Sequence, residues 1–113
     1  MNRGDVVMVD WLYSDRTGGK LRPAVVVQAN FLNNTVDDIV LVPITKTARK
    51  IGVTEVLIDP AVETNSELRF ISVASCNLFM TIDQKLIPRT IGFLSSNVMW
   101  QIDDCLKVAL QLP

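Results

Sequence analysis

There is no histidine anywhere in the chain. Histidine is the usual proton carrier at neutral pH, so its absence removes the Ser-His-Asp triad, the Cys-His pair and the two-histidine scheme of phosphodiester cleavage together. The common zinc sites go with it, because the two cysteines, Cys76 and Cys105, are far apart in sequence and form no C-x-x-C pair. Both thiols read as small buried hydrophobes. Neither a G-x-x-x-x-G-K-[ST] loop nor a G-x-G-x-x-G fingerprint occurs, which leaves nucleotide hydrolysis and dinucleotide binding without support. No apolar run approaches the roughly 20 residues that span a bilayer. The opening MNRGDVVMVDW lacks signal-peptide architecture, since Asp5 and Asp10 interrupt its apolar stretch. The expectation is a cytoplasmic protein with no membrane partner, no metal and no cofactor.

What is present suits one domain over residues 1–113, with 49% hydrophobic and 20% charged residues. The net charge of −1 hides an asymmetry: residues 1–50 carry seven Lys/Arg and five Asp/Glu, while residues 51–113 carry four and seven. A polyanion would therefore have to be held locally, by the cations of the first half. The paired carboxylates Asp37-Asp38 and Asp103-Asp104 read as a turn and a solvated helix face rather than as a site.

β-Branched and aromatic enrichment predicts strands over residues 5–13, 23–30, 38–45 and 53–60, then a long strand over 70–80 and a short one near 86–94. Pro23 is expected at the first position of its strand, and Pro43 at an edge or a bulge. Ser95 or Ser96 would cap a terminal helix on which Val98, Ile102, Cys105, Leu106, Ala109 and Leu110 form one stripe. Five or six short strands with one helix suggest a small antiparallel β-barrel, closed or nearly so. Trp11 and Trp100 read as core or interface anchors.

The chemistry left is a set of cations and hydroxyls where strands meet loops. Arg16, Lys20 and Arg22 flank the first loop, and Thr45, Lys46, Thr47, Arg49 and Lys50 follow the third strand. If the second and third strands pair, Arg22 comes near Thr45, and an anion would be held there. Arginine matches two phosphate oxygens with its planar fork, and a threonine hydroxyl can donate to a third. Gly18 and Gly19 would let the covering loop open and close.

Four segments carry a family resemblance: R-G-D-V-V-M-V-D-W at 3–11, G-x-x-R-P-A-V-V-V-Q at 19–28, V-P-I-T at 42–45, and T-I-D-Q-K-L-I-x-x-x-I-G-F-L at 81–94. In that order and spacing they resemble the MazF/PemK (Kid) toxins of type II toxin-antitoxin systems. The resemblance implies an SH3-like barrel that forms a homodimer, and a metal-independent endoribonuclease cutting single-stranded RNA, often mRNA, at short sequences. It places the catalytic pair on Arg22 and Thr45 and RNA contacts on Arg16, Lys20, Gln28 and Lys46. It also implies an antitoxin partner whose acidic tail occupies the RNA groove. The sequence departs from the family at Asn77, Leu78, Phe79 and Met80, where members commonly carry a polar run that includes an RNA-contacting arginine. That departure leaves a catalytically weak or silent binding barrel as one alternative; a gyrase-inhibiting toxin of the CcdB type, which shares the fold, and a generic small β-barrel interaction module are the others.

Overall fold

The computed structural model describes residues 1–10, 20–46 and 51–113. Trp11, Arg16, Gly18, Gly19, Thr47, Arg49 and Lys50 lie outside the described residues. The described residues form seven strands and a terminal helix: β1 (Asp5–Asp10), β2 (Leu21–Val26), β3 (Asp38–Lys46), β4 (Glu55–Ile58), β5 (Ser72–Ser75), β6 (Met80–Asp83) and β7 (Arg89–Phe93), then α2 (Ser96–Leu110). A short helix α1 (Asn30–Asn33) and two 3-10 turns, Thr64–Ser66 and Gln84–Leu86, fill the connections.

Every pairing is antiparallel, in the order β4-β5-β3-β2-β1-β7, with β6 beside β3 as well. The sheet is mainly β with a carboxy-terminal helix, as expected, but it does not close into a barrel: β4 and β7 end the path. The long strand expected over 70–80 is two strands. A turn in which the Leu78 amide donates to the Ser75 carbonyl (3.0 Å) separates them, while the Cys76 amide donates to Thr54 (2.8 Å). The reason lies in β3, which is long enough for β6 to pair with residues 38–41 and β5 with residues 44–46. Pro43 falls in the gap between these two partners, so the amide it lacks is not needed there. Pro23 is interior to β2, opposite Met8.

The middle of the sheet is buried on both faces, which explains why β1 to β3 read as nearly unbroken apolar runs. On one face Val6, Val25, Val42 and Ile44 pack with Val56, Ile58, Ala74 and Cys76 under α2, which contributes Val98, Met99 and Ile102. On the other face Val7, Val9, Ala24, Val26, Ile39 and Leu41 pack with Ile87. The helix stripe is buried most deeply at Val98 and Ile102, continues through Cys105 and Leu106, which pack partly buried against the same core, and ends at exposed Leu110; Trp100 is exposed and so is not a core anchor. Ser95 is the cap, its hydroxyl accepting from the Val98 amide (3.3 Å). The buried Glu63 carboxylate accepts in turn from the Ser95 amide (2.7 Å) and hydroxyl (2.8 Å), placing negative charge at the helix amino terminus.

Two of the recognised motifs are braces. In R-G-D, Gly4 sits at φ +95°, its amide donating to Val26 (2.8 Å) and its carbonyl accepting from Leu94 (2.9 Å). Arg3 donates from Nε to the Val27 carbonyl (2.8 Å) and pairs with Asp103 on α2 (2.6 Å). In T-I-D-Q, Asp83 accepts from the Lys85 amide (2.9 Å), and the Gln84 amide group donates to the carbonyls of Asn33 (2.9 Å) and Val36 (3.0 Å).

Candidate active site in a cationic cleft

The antiparallel register sends four chain segments to one end of the sheet: the start of β2, the end of β3, the approach to β5 and the start of β7. Ala24 pairs with Pro43 and Val25 with Val42. Continued by two residues, that register would set Arg22 opposite Thr45. Side chains alternate along a strand, so both share the face carrying Ala24, Val26, Ile39 and Leu41. Directly opposed residues on one face hold their Cβ atoms about 5 Å apart. On the far side Arg89 pairs with Met8, itself paired with Pro23, which sets β7 two strand spacings, about 10 Å, from β2.

These segments enclose an open cleft of about 960 Å³ whose lining includes both Arg22 and Thr45. Lys20, Lys46, Arg69 and Arg89 line it as well, facing a single described carboxylate, Glu67. The charge balance is thus reversed locally in a protein whose net charge is −1. Such a concave cationic wall suits a phosphodiester backbone. Among the described residues no group of three or more potential metal ligands occurs.

The wall between the Thr64–Ser66 turn and β5 is tied by local side-chain hydrogen bonds. Ser66, fully buried, donates its hydroxyl to the Glu63 carbonyl (2.7 Å) and accepts from the Leu68 amide (3.3 Å). Glu67 follows in the left-handed region at φ 59°, a conformation uncommon outside glycine, asparagine and aspartate. The Ser72 hydroxyl donates to the Phe70 carbonyl (2.8 Å), and the Lys46 ammonium lies 4.5 Å from the centre of the Phe70 ring. Gly92 of β7 presses on this turn: a Cβ there would collide with the Asn65 carbonyl and lie 2.8 Å from the Ser66 carbonyl carbon.

Of the residues expected in the site, the cleft brings together Lys20, Arg22, Thr45 and Lys46. Gln28 is elsewhere. It lies beyond the other end of β2, where its side chain donates to Asn33 Oδ1 (3.0 Å) and to the Asp38 carbonyl (2.9 Å). Arg16 lies outside the described residues. Arg69, Arg89, Glu67 and Phe70 are not among the expected site residues: Glu67 and Arg69 fall in a stretch that reads as a polar connection, and Phe70 and Arg89 in stretches that read as strands. The positions of the family departure do not line the cleft: Leu78 is exposed, Phe79 packs against the core under α2, and Met80 against the opposite core.

A family model described as PemK-like, MazF-like toxin of type II toxin-antitoxin system matches residues 2–110. The chain belongs to that family. Similar solved structures include an endoribonuclease from a mycobacterial species in complex with its cognate antitoxin, at 25% identity and a TM-score of 0.80, covering 100% of this chain and 97% of that one. The Mycobacterium tuberculosis toxin MazF-mt6 is likewise 25% identical, with a TM-score of 0.77 over 96% of this chain and 98% of the other. A MazE-MazF structure from Deinococcus radiodurans shares the fold at 17% identity, with a TM-score of 0.77 and coverage of 100% and 97%. Comparison with curated proteins finds no match. Within the PemK/MazF-like fold the cleft is therefore built by strand ends that the whole architecture fixes. No helix among the described residues is long and apolar enough to cross a membrane.

Proposed function

We propose that this chain is a toxin endoribonuclease that cuts single-stranded RNA without a metal ion, with Arg22 and Thr45 at the scissile phosphate. The observation that carries the reading is the shared cleft: both residues line one concavity, together with Lys20, Lys46, Arg69 and Arg89. The 2′-hydroxyl oxygen attacks the adjacent phosphorus, the bond from phosphorus to the 5′-oxygen breaks, and a 2′,3′-cyclic phosphate and a 5′-hydroxyl result. Arg22 stabilises the charge that develops on the phosphorane oxygens, and Thr45 donates a hydrogen bond to one of them. Arginine is a poor base. The proton leaving the 2′-hydroxyl goes to Glu67, the one carboxylate among the described cleft residues; the leaving 5′-oxygen takes a proton from water.

Family membership and structures named as antitoxin complexes support a cognate antitoxin as partner, its acidic tail drawn to the same cations. A homodimer working in the cytoplasm completes the proposal, with exposed Trp100 as an anchor for assembly. The test is incubation of the purified protein with a long unstructured RNA in EDTA, followed by mapping of the ends. Cleavage persists in EDTA, leaves 5′-hydroxyl ends, and falls by at least about a hundredfold in Arg22→Ala, the loss expected when one oxyanion-stabilising group is removed. Cleavage unaffected by Arg22→Ala would overturn the assignment, and gyrase inhibition without RNA breakage would favour a CcdB-type activity.

A further inference from the structure

Phe70 is the one aromatic side chain among the described residues of the cleft wall, and it is 55% exposed. An apolar ring left in water needs a physical account when it stands in a wall otherwise studded with cations. Its carbonyl accepts from the Ser72 hydroxyl, and the Lys46 ammonium sits over one face of the ring, 4.5 Å from its centre, a cation–π contact that orients the ring while more than half of the residue stays exposed. Lys46 and Phe70 thus form one unit, a charge for phosphate beside a flat apolar face. Resting on the nuclease reading above, we infer that Phe70 is a stacking shelf for one nucleobase of the RNA held in this cleft. A polyanion brought in by Arg22, Lys46, Arg69 and Arg89 carries one kind of aromatic face, its bases. Stacking on a protein ring is how unpaired bases are commonly gripped. An acidic peptide would answer the same charges, but its carboxylates have no use for the ring.

The experiment measures binding with a ten-nucleotide RNA centred on a mapped cleavage site, made resistant by a 2′-deoxy sugar at the attacking position, and with copies carrying an abasic sugar at each position in turn. Phe70→Leu weakens binding of the intact RNA about tenfold, equivalent to about 1.4 kcal/mol. At one abasic position wild type and Phe70→Leu bind alike, and Phe70→Trp retains the affinity for intact RNA. Equal weakening of intact and all abasic RNAs by Phe70→Leu, or no weakening at all, overturns the shelf while leaving the nuclease reading in place, provided Arg22 still governs cleavage. If the wild-type protein neither cuts nor binds RNA, with an aromatic-containing acidic peptide held instead, the nuclease reading and the shelf fall together.

Discussion

Replacing Gly92 by alanine tests whether the cleft wall is set by the close approach of β7 to the Thr64–Ser66 turn. The added Cβ would stand 2.8 and 2.9 Å from the Ser66 carbonyl carbon and oxygen, and closer still to the Asn65 carbonyl. Carbon contacts settle near about 3.5–4.0 Å, so this backbone has to retreat by roughly 0.7 Å or more. Overpacking of this kind costs about 2–3 kcal/mol, offset by about 0.5 kcal/mol from the stiffer unfolded chain. Unfolding entropy near 2.1 cal/mol/K per residue then predicts a melting temperature lowered by roughly 8 °C for a domain of this size. Two other glycines calibrate the result. Alanine at Gly52 meets only the flexible carboxylate of Glu55, at 3.2 Å, and should shift melting by no more than about 2 °C. Alanine at Gly4 finds ordinary contacts but is held at φ +95°, a strain of about 1–2 kcal/mol remote from the cleft. Thermal unfolding followed by circular dichroism gives the three shifts, and RNA cleavage well below melting gives the functional effect. Gly92→Ala should lose about tenfold or more in kcat/KM, because it displaces the segment carrying Glu67 and Phe70, while Gly4→Ala keeps wild-type activity. A Gly92→Ala protein that melts and cuts like Gly52→Ala would refute the reasoning.

Other expectations follow from single contacts. Glu67→Gln should lower kcat by about a hundredfold while leaving RNA affinity within about threefold, as removal of a general base does; unchanged kcat in single-turnover assays would exclude Glu67 as the proton acceptor. RNA affinity should fall with salt on a log-log slope near −0.7 for each phosphate held, and Arg69→Ala or Arg89→Ala should each flatten that slope by about one such step; a slope insensitive to both would remove them from the binding surface. Ser95→Ala should destabilise the protein by about 1 kcal/mol through loss of the α2 cap, measured by urea unfolding, whereas Ser96→Ala should be silent. Burial, first, and the neighbouring Cys105 push the Cys76 thiol from 9.0 up to about 12. The unfolded chain therefore loses this proton at lower pH than the folded one, so the stabilisation is whole below about 9 and is lost as pH rises toward about 12. Cys76→Val should flatten the fall of melting temperature over that window, and an identical fall in the variant would contradict the linkage.

The parts of the fold that the sequence made legible are those with a local cause. Alternation and β-branching marked β1, β2, β3, β4 and β7, and Ser95 before a 3.6-residue apolar stripe marked α2. The break between β5 and β6 was invisible, since it follows from β3 offering two partners along one flank, a relation no local pattern carries. The open sheet escaped for the same reason: whether β4 and β7 meet depends on register summed over all the strands. In the site, Arg22 and Thr45 could be brought together by reasoning that antiparallel neighbours share an end. Arg69, Arg89 and Phe70 could not, because their place in the cleft depends on how the Thr64–Ser66 turn folds back against Gly92. Gln28 shows the converse, since the motif that ends on it also runs the length of β2 and so carries it to the opposite end of the strand from the cleft, where its amide bonds Asn33 and the Asp38 carbonyl.

The pairing of β1 with β7, Asp5 opposite Phe93, has a consequence for synthesis on the ribosome. β1 waits for β7, so a chain that stops short of β7 cannot complete the sheet, and the cleft, lined by Arg22 and Arg89 together, is assembled only after β7 has been made. A nascent chain arrested before residue 89 should therefore be protease-sensitive and harmless to the message that encodes it.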